Sequence, residues 1–178
     1  MNLRERYTKE IAKQLQSDLK IKSVMALPKV TAITVAVGLS QGVKDPKFNE
    51  NAENVLLRIT GQRPVKTKAR QSISNFKIRK GMVVGMRVTL RGHRMWDFLD
   101  KLVNVTFPRV RDFRGISSKH IDANGNLSIG FKEFLSFPEI EPDDVERMHG
   151  LQVNISSTAG KRDVGLALFK HLGFPFKD

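Results

Sequence analysis

Hydrophobic residues at three- and four-residue spacing predict four helices. The first begins at Asn2, which can cap a helix, and ends near Leu19. The second is predicted from Asn49 to a stop at Gly61, the third over 93–105 and the fourth over 162–172. The residues expected to face the core in the first three helices are Leu3, Tyr7, Ile11, Leu15, Leu19, Ala52, Val55, Leu56, Ile59, Met95, Trp96, Leu99, Leu102 and Val103.

Alternating apolar and polar residues predict five strands, over 30–38, 65–67, 83–90, 126–131 and 151–157. In the third strand the alternation places Arg87, Thr89 and Arg91 on one face and apolar side chains on the other. A polar loop is expected at 41–47, and a hairpin turn at 122–125. This succession of elements favours one compact α+β domain over residues 1–178, and disfavours a parallel βαβ array.

Positive charge dominates the middle of the chain. The 178 residues carry a net charge of +13, with a pI near 10.3. Eleven Lys or Arg residues and no Asp or Glu lie between Arg58 and Arg94. Because no carboxylate in this stretch can neutralise the field, its natural partner is a polyanion, either a nucleic acid or an anionic membrane surface.

The periodicity is lost between Lys68 and Met82, where small and basic residues alternate irregularly. This pattern predicts a long, protruding basic loop, centred on 72–82, of a length at which connections are usually functional. Trp96 could stack on a base, but its place in the apolar stripe of the third helix favours a core position.

The sequence shows no membrane span, no signal peptide and no cysteine, and these absences bear on the compartment and the redox chemistry. No apolar run is long enough to span a membrane, and the charged first 22 residues do not read as a signal peptide, so we expect a cytosolic protein without a membrane partner. The lack of cysteine excludes disulfides, thiolate metal sites and a cysteine nucleophile.

Catalytic and metal-binding patterns are weak. The four histidines, His93, His120, His149 and His171, are dispersed. Calcium-loop offsets are met by Asp122, Asn124, Asn126 and Glu133, but Leu127 occupies the position that needs glycine, which favours the hairpin turn. An acidic cluster at Glu139, Glu141, Asp143, Asp144 and Glu146 is better explained as a solvated or partner-facing loop. We therefore predict no catalytic residue, cofactor or metal.

Among nucleic-acid binders, the chain fits recognition of a folded RNA. No helix-turn-helix or zinc-finger spacing is found, and an aromatic content of 7% is too low for serial base stacking on a single strand. The remaining mode is recognition of a folded RNA by its shape and by contacts to its phosphates and 2′-hydroxyls. Two alternatives stay open at this point: a free RNA chaperone or repressor with little structural selectivity, and a nuclease, which would need metal-dependent turnover.

Several ordered blocks resemble the fifth large-subunit ribosomal protein family of bacteria, which binds 5S rRNA. They are LLRITGQRPVKTKARQS at 56–72, SNFKIRKG at 74–81, RVTLR at 87–91 with RMW at 94–96, PRVRDFRG at 108–115, FPEI at 137–140 and GFPF at 173–176. The resemblance implies a concave five-stranded antiparallel sheet with helices packed on one face, and no enzymatic activity. It also implies a seat on the central protuberance of the large subunit, with 5S rRNA, 23S rRNA and other 5S-binding large-subunit proteins as partners.

The same resemblance, together with the charge argument, assigns three sets of residues. The set for 5S rRNA is Gln62, Arg63, Lys66, Arg87, Thr89 and Arg91. The set for the P-site tRNA is Ser72, Ser74, Asn75, Lys77, Arg79 and Lys80. The set for an intersubunit bridge to small-subunit protein thirteen is Arg109, Arg111, Arg114, Glu141, Asp143 and Asp144. The family usually has Asn where this chain has Ala36, so one RNA contact is expected to be missing.

Overall fold

The computed structural model describes residues 2–39, 46–140 and 148–177. Residues 41–45 of the predicted loop at 41–47 therefore lie outside the described residues. The same holds for four members of the acidic cluster, Glu141, Asp143, Asp144 and Glu146.

A five-stranded antiparallel sheet confirms the predicted α+β class. Each predicted strand is present, with the bounds β1 Val30–Gly38, β2 Val65–Lys68, β3 Val83–Leu90, β5 Leu127–Phe131 and β6 Leu151–Ser157. These strands lie in the order β2-β3-β1-β6-β5. A second sheet of two parallel strands, β4 Ile116–Ser117 and β7 Phe176–Lys177, was not predicted, because two residues are too few to show an alternation.

The helices also lie close to their predicted positions. Their bounds are α1 Leu3–Arg6, α2 Ala12–Asp18, α3 Pro46–Thr60, α4 Gly92–Lys101, α5 Phe107–Arg109 and α6 Arg162–His171. The π-helical segments Tyr7–Ile11 and Leu102–Thr106 join α1 to α2 and α4 to α5. At the predicted N-cap, the Asn2 side chain accepts a hydrogen bond from the Arg4 N–H at 3.4 Å.

The predicted start of α3 was wrong. We predicted Asn49, but the helix begins at Pro46. Proline suits a first helical position, because its ring fixes φ near the helical value and its missing N–H would have no intrahelical partner there. The predicted end at Gly61 is confirmed, since Gly61 has φ +65° and follows the last helical residue, Thr60.

Burial alternates along the strands, as the pattern predicted. In β3, Met86, Val88 and Leu90 are each 1% exposed, whereas Arg87 is exposed. In β6, Leu151, Val153 and Ile155 are buried and alternate with polar residues. One face of the sheet is thus covered and the other is open, because the side-chain period of a strand is two.

One compact unit comprises Met1–Ile33, Leu90–Ile129 and Asn154–Asp178. Trp96 belongs to its core, only 9% exposed and with its ring 5.4 Å from that of Tyr7. This confirms the core position for Trp96. Val103 of the predicted stripe is half-buried, and the neighbouring Phe98 is buried at 3% exposure.

A second compact unit comprises Thr34–Thr89 and Gly130–Val153. On α3, the predicted Ala52, Leu56 and Ile59 are buried, while Val55 is half-buried. A cluster of Phe48, Phe134 and His149 completes its core, with the His149 ring 4.5 Å from that of Phe134. Burial lowers the pKa of His149, which favours the neutral imidazole in this apolar setting.

None of the helices in the described part of the chain is both long and apolar enough to cross a membrane.

Candidate nucleic-acid interface

The open sheet face of the second unit is formed by the register of β2 and β3. Val65 pairs with Arg87, and Thr67 pairs with Gly85. Directly opposed residues of an antiparallel pair project from the same face. Arg87 therefore shares the open face with Val65 and Thr67, and all three are at least partly exposed.

A concave depression lies on this face next to Arg87. Its volume is about 440 Å³, and its lining residues are Ala36, Val37, Gly38, Thr67, Met86, Arg87, Phe131, Gly150, Leu151 and Gln152. None of these is acidic. Gly85 lies close by, and a β-carbon there would come within 2.9 Å of Thr67 Oγ1 and 3.0 Å of the Val37 carbonyl oxygen. The close packing of the three strands at this point therefore needs a glycine.

Arg63 and Lys66 are held differently. Lys66 pairs with Met86 across the strands, so it projects from the covered face, where α3 supplies Glu53. Glu53 lies 2.9 Å from Lys66 Nζ and 3.1 Å from Arg63 Nε. Hydrogen bonds from Lys66 and Arg63 lower the pKa of Glu53, so the carboxylate stays ionised and partly neutralises both cations.

The other members of the predicted 5S rRNA set lie on three different parts of the backbone. Thr89 is half-buried on β3, two residues beyond Arg87. Gln62 is half-buried after α3, where its N–H donates to Thr60 Oγ1 at 3.3 Å. Arg91 is exposed and forms the N-cap of α4. In the described residues, neither Arg87 nor Arg91 has a carboxylate partner.

The predicted basic loop forms a hydrogen-bonded hairpin, called here the basic hairpin (residues 69–82). The Ala69 N–H donates to the Met82 carbonyl at 2.8 Å, closing its base. Ile73 and Ile78 exchange two backbone hydrogen bonds of 2.9 and 3.1 Å. The Lys80 N–H donates to Ser72 Oγ at 2.9 Å, which gives Ser72 a structural role.

The tip of the basic hairpin consists of a single 3-10 turn, Ser74–Phe76, followed by Lys77 in the left-handed conformation at φ +55°. Every side chain from 71 to 77 is exposed. All six members of the predicted tRNA set lie on this hairpin and are at least partly exposed: Ser72, Ser74, Asn75, Lys77, Arg79 and Lys80.

The predicted bridge residues Arg109, Arg111 and Arg114 lie in the first unit and are all exposed. Their backbone is anchored by Phe113, whose ring stacks on buried Phe107 at 5.1 Å and 18°. The acidic members of this set, Glu141, Asp143 and Asp144, lie outside the described residues.

The Asp122 turn has the predicted geometry. Asp122 Oδ1 accepts hydrogen bonds from the N–H groups of Asn124 and Asn126 at 2.9 and 2.7 Å, and Gly125 has φ +80°. Both carboxylate oxygens of Asp122 are engaged within the turn, since Oδ2 also accepts a hydrogen bond from Asn126 Nδ2 at 2.8 Å. No cluster of three or more potential metal ligands occurs among residues 2–39, 46–140 and 148–177.

Four residues of interest were missed from the sequence. Gln152 could have been found, because it alternates with buried Leu151 and Val153 as Arg87 does with its neighbours. Thr67 needed the register of β2, and Glu53 needed the packing of α3 against that strand. Phe76 was assigned no role, although it is 70% exposed.

Nearly the whole chain is similar in sequence to known ribosomal proteins. Residues 23–79 match the profile described as ribosomal protein L5, and residues 83–176 match the profile for the C-terminus of the same ribosomal family. The large ribosomal subunit protein uL5 of Natranaerobius thermophilus is 47% identical over 174 residues, covering 98% of this chain and 97% of its own. The uL5 protein of Chloroflexus aurantiacus is 45% identical over 178 residues, covering 100% and 99%.

These matches span both compact units and confirm the resemblance found in the sequence blocks. The chain thus belongs to the ribosomal protein L5 (uL5) family, whose members are structural, non-enzymatic constituents of the large ribosomal subunit, associated with rRNA in the bacterial cytoplasm.

Proposed function

We propose that this chain binds 5S rRNA through the open sheet face of its second unit and attaches it to 23S rRNA at the central protuberance. The observation that carries the proposal is the position of Arg87. It lies on a concave face whose lining residues include no acid, and its side chain is exposed there beside Thr67. An RNA backbone can approach such a face closely, and a guanidinium binds phosphate through two parallel hydrogen bonds.

The remaining members of the 5S rRNA set contribute in different ways. Gln62 and Thr89 offer an amide and a hydroxyl for sugar or base-edge contacts, as Thr67 and Gln152 do within the depression. Arg91 adds an exposed charge at the start of α4. Arg63 and Lys66 contribute less, because Glu53 already neutralises part of their charge.

Two further contacts form part of the proposal. The basic hairpin contacts the P-site tRNA, which is supported by its exposed cations and its hydrogen-bonded backbone. The segment 109–115 forms an intersubunit bridge to small-subunit protein thirteen together with Glu141, Asp143 and Asp144, supported by three exposed arginines on an anchored backbone. In this proposal the whole chain, 1–178, acts as one rRNA-binding domain beside other 5S-binding large-subunit proteins.

The test is the affinity of the full chain for 5S rRNA and for an unrelated folded RNA of equal length, measured across a salt series. We expect 5S rRNA to bind at least about a hundredfold more tightly as salt rises, because such selectivity exceeds simple charge neutralisation. Equal affinities that collapse together would contradict the proposal. They would favour the generic RNA chaperone or repressor considered above.

A further inference from the structure

Phe76 is the one aromatic side chain of the basic hairpin, and it lies at the tip. The ring is 70% exposed, the largest exposed fraction of any phenylalanine among the described residues. An aromatic side chain has a large apolar surface, so leaving it in water forgoes the stabilisation that burial would give. The fold of the free chain does not bury this ring in its core, so the ring is accessible for an intermolecular contact.

The backbone holds Phe76 in place. It closes the turn Ser74–Phe76, and the Lys77 N–H donates to the Ser74 carbonyl at 3.0 Å. Below the tip, the two hydrogen bonds between Ile73 and Ile78 fix the width of the hairpin. The left-handed conformation of Lys77 is unfavourable for a residue with a β-carbon, and conformations of this kind concentrate at binding sites. A ring presented on a fixed turn loses less conformational freedom on binding than one on a mobile loop.

The charge around the ring decides the class of partner. Four cations with at least partly exposed side chains share the hairpin with Phe76: Arg70, Lys77, Arg79 and Lys80. No acidic residue occurs between Arg58 and Arg94. An apolar protein pocket that enclosed the ring would have to remove water from these charges without compensation, which is costly. An RNA offers the ring a base plane and offers the cations phosphates.

We propose that Phe76 stacks on a solvent-exposed nucleobase of a folded RNA, while the cations of the basic hairpin contact the phosphates on either side. The inference rests on the proposed tRNA contact of this hairpin and adds to it a non-electrostatic term. Stacking tolerates any base, since every base has a π face, so the ring recognises an exposed base plane and not a sequence.

The experiment uses ribosomes that carry this chain or its variants, with an unmodified elongator tRNA transcript bound in the P site. The rate of tRNA dissociation is measured across a salt series. Phe76→Ala is expected to raise the rate about tenfold, in line with the typical effect of removing one aromatic–base stack. Phe76→Tyr keeps the ring and should stay within about twofold of the parent rate. Phe76→Leu keeps an apolar side chain without the ring and should behave like Phe76→Ala.

Lys80→Ala is the matched control, because it removes a charge from the same hairpin and leaves the ring. It should flatten the salt dependence of dissociation, whereas Phe76→Ala should leave that dependence unchanged. Both side chains are exposed, so thermal unfolding of each purified variant should match the parent.

An unchanged rate for Phe76→Ala beside an altered salt dependence for Lys80→Ala would overturn the stacking and leave the proposed tRNA contact standing. Parent-like rates for Phe76→Leu would also overturn it, since they would show apolar burial in place of stacking. If Phe76→Ala, Lys80→Ala and a variant with all four cations replaced by alanine left the dissociation unchanged, the tRNA contact itself would fail.

Discussion

Two groups of cations in the second unit come from the same acid-free stretch of sequence but are in different electrostatic states. Arg87 lies on the open sheet face with no carboxylate partner in the described part of the chain. Arg63 and Lys66 share Glu53, at 3.1 and 2.9 Å. Glu53 comes from α3, ten residues before Arg63, so it precedes the acid-free stretch.

The difference shows that a count of charges along the sequence overestimates the positive charge available to RNA. A phosphate that contacts Lys66 competes with a carboxylate already in place, whereas one that contacts Arg87 displaces only water and counterions. The two groups also lie on different faces, because Lys66 pairs with Met86 and Arg87 with Val65.

The largest effect is expected for Arg87→Ala. Loss of the guanidinium should weaken 5S rRNA binding about tenfold and reduce the salt slope by about one ion. Arg87→Lys, which keeps the charge but loses the planar fork, should retain the slope while losing part of the affinity. A slope unchanged in Arg87→Ala would remove this side chain from the phosphate interface.

A gain is expected for Ala36→Asn. Ala36 lines the depression beside Arg87, and the volume of about 440 Å³ leaves room for a larger side chain. An amide at this position should add a hydrogen bond to RNA worth about 1 kcal/mol, or about fivefold in affinity for 5S rRNA. Ala36→Val adds comparable bulk without the polar group, and an equal gain from it would argue against the hydrogen bond.

A smaller loss is expected for Lys66→Ala, less than about threefold in affinity, because Glu53 already offsets this charge. The control is the double variant Lys66→Ala with Glu53→Gln. It removes the Lys66 charge without leaving an unpaired Glu53 carboxylate near the RNA. A loss as large as that of Arg87→Ala would show that RNA displaces Glu53, and the distinction between the two cation groups would fail.

The smallest effect concerns the titration of Glu53. Its pKa is lowered from the ordinary value of 4.5 by Lys66 first and Arg63 second, so its pairing stabilises the fold above that pH and is lost as the pH falls through the lowered pKa. Carboxyl carbon NMR should show the Glu53 pKa rising in Lys66→Ala, and rising less in Arg63→Ala. The reverse order would mean that Arg63 is the main partner.

Most helices and strands were predictable because the spacing of apolar residues within each element indicates its type. The alternation in β3 assigned Arg87 to the open face, and the spacing in the third helix placed Trp96 in the core. The turn at Asp122 followed from its own side chain, which binds the backbone two and four residues on. The start of α3 was missed by three residues, because a proline was taken for a loop signal where it begins a helix.

The candidate site was less predictable. Sequence reasoning placed Arg87 and Thr89 on one face, but it could not see that Thr67 lies beside Arg87, since a register is a relation between two strands. The basic hairpin was predicted as an irregular loop. In the structure, backbone hydrogen bonds join Ile73 and Ile78 across the hairpin, and no periodicity in the sequence signals such a pairing.

The sequence by itself determined the longer helices and the five strands of the main sheet, the open face of β3, the excess of positive charge and the family. These depend on interactions between residues close along the chain, or on composition. Only the tertiary structure decided the strand order β2-β3-β1-β6-β5, the pairing of Ile116 with Phe176, and the neutralisation of Lys66 by Glu53. Such contacts join residues from different elements of the fold, and their partners are selected by packing and by water exclusion, which no local pattern encodes.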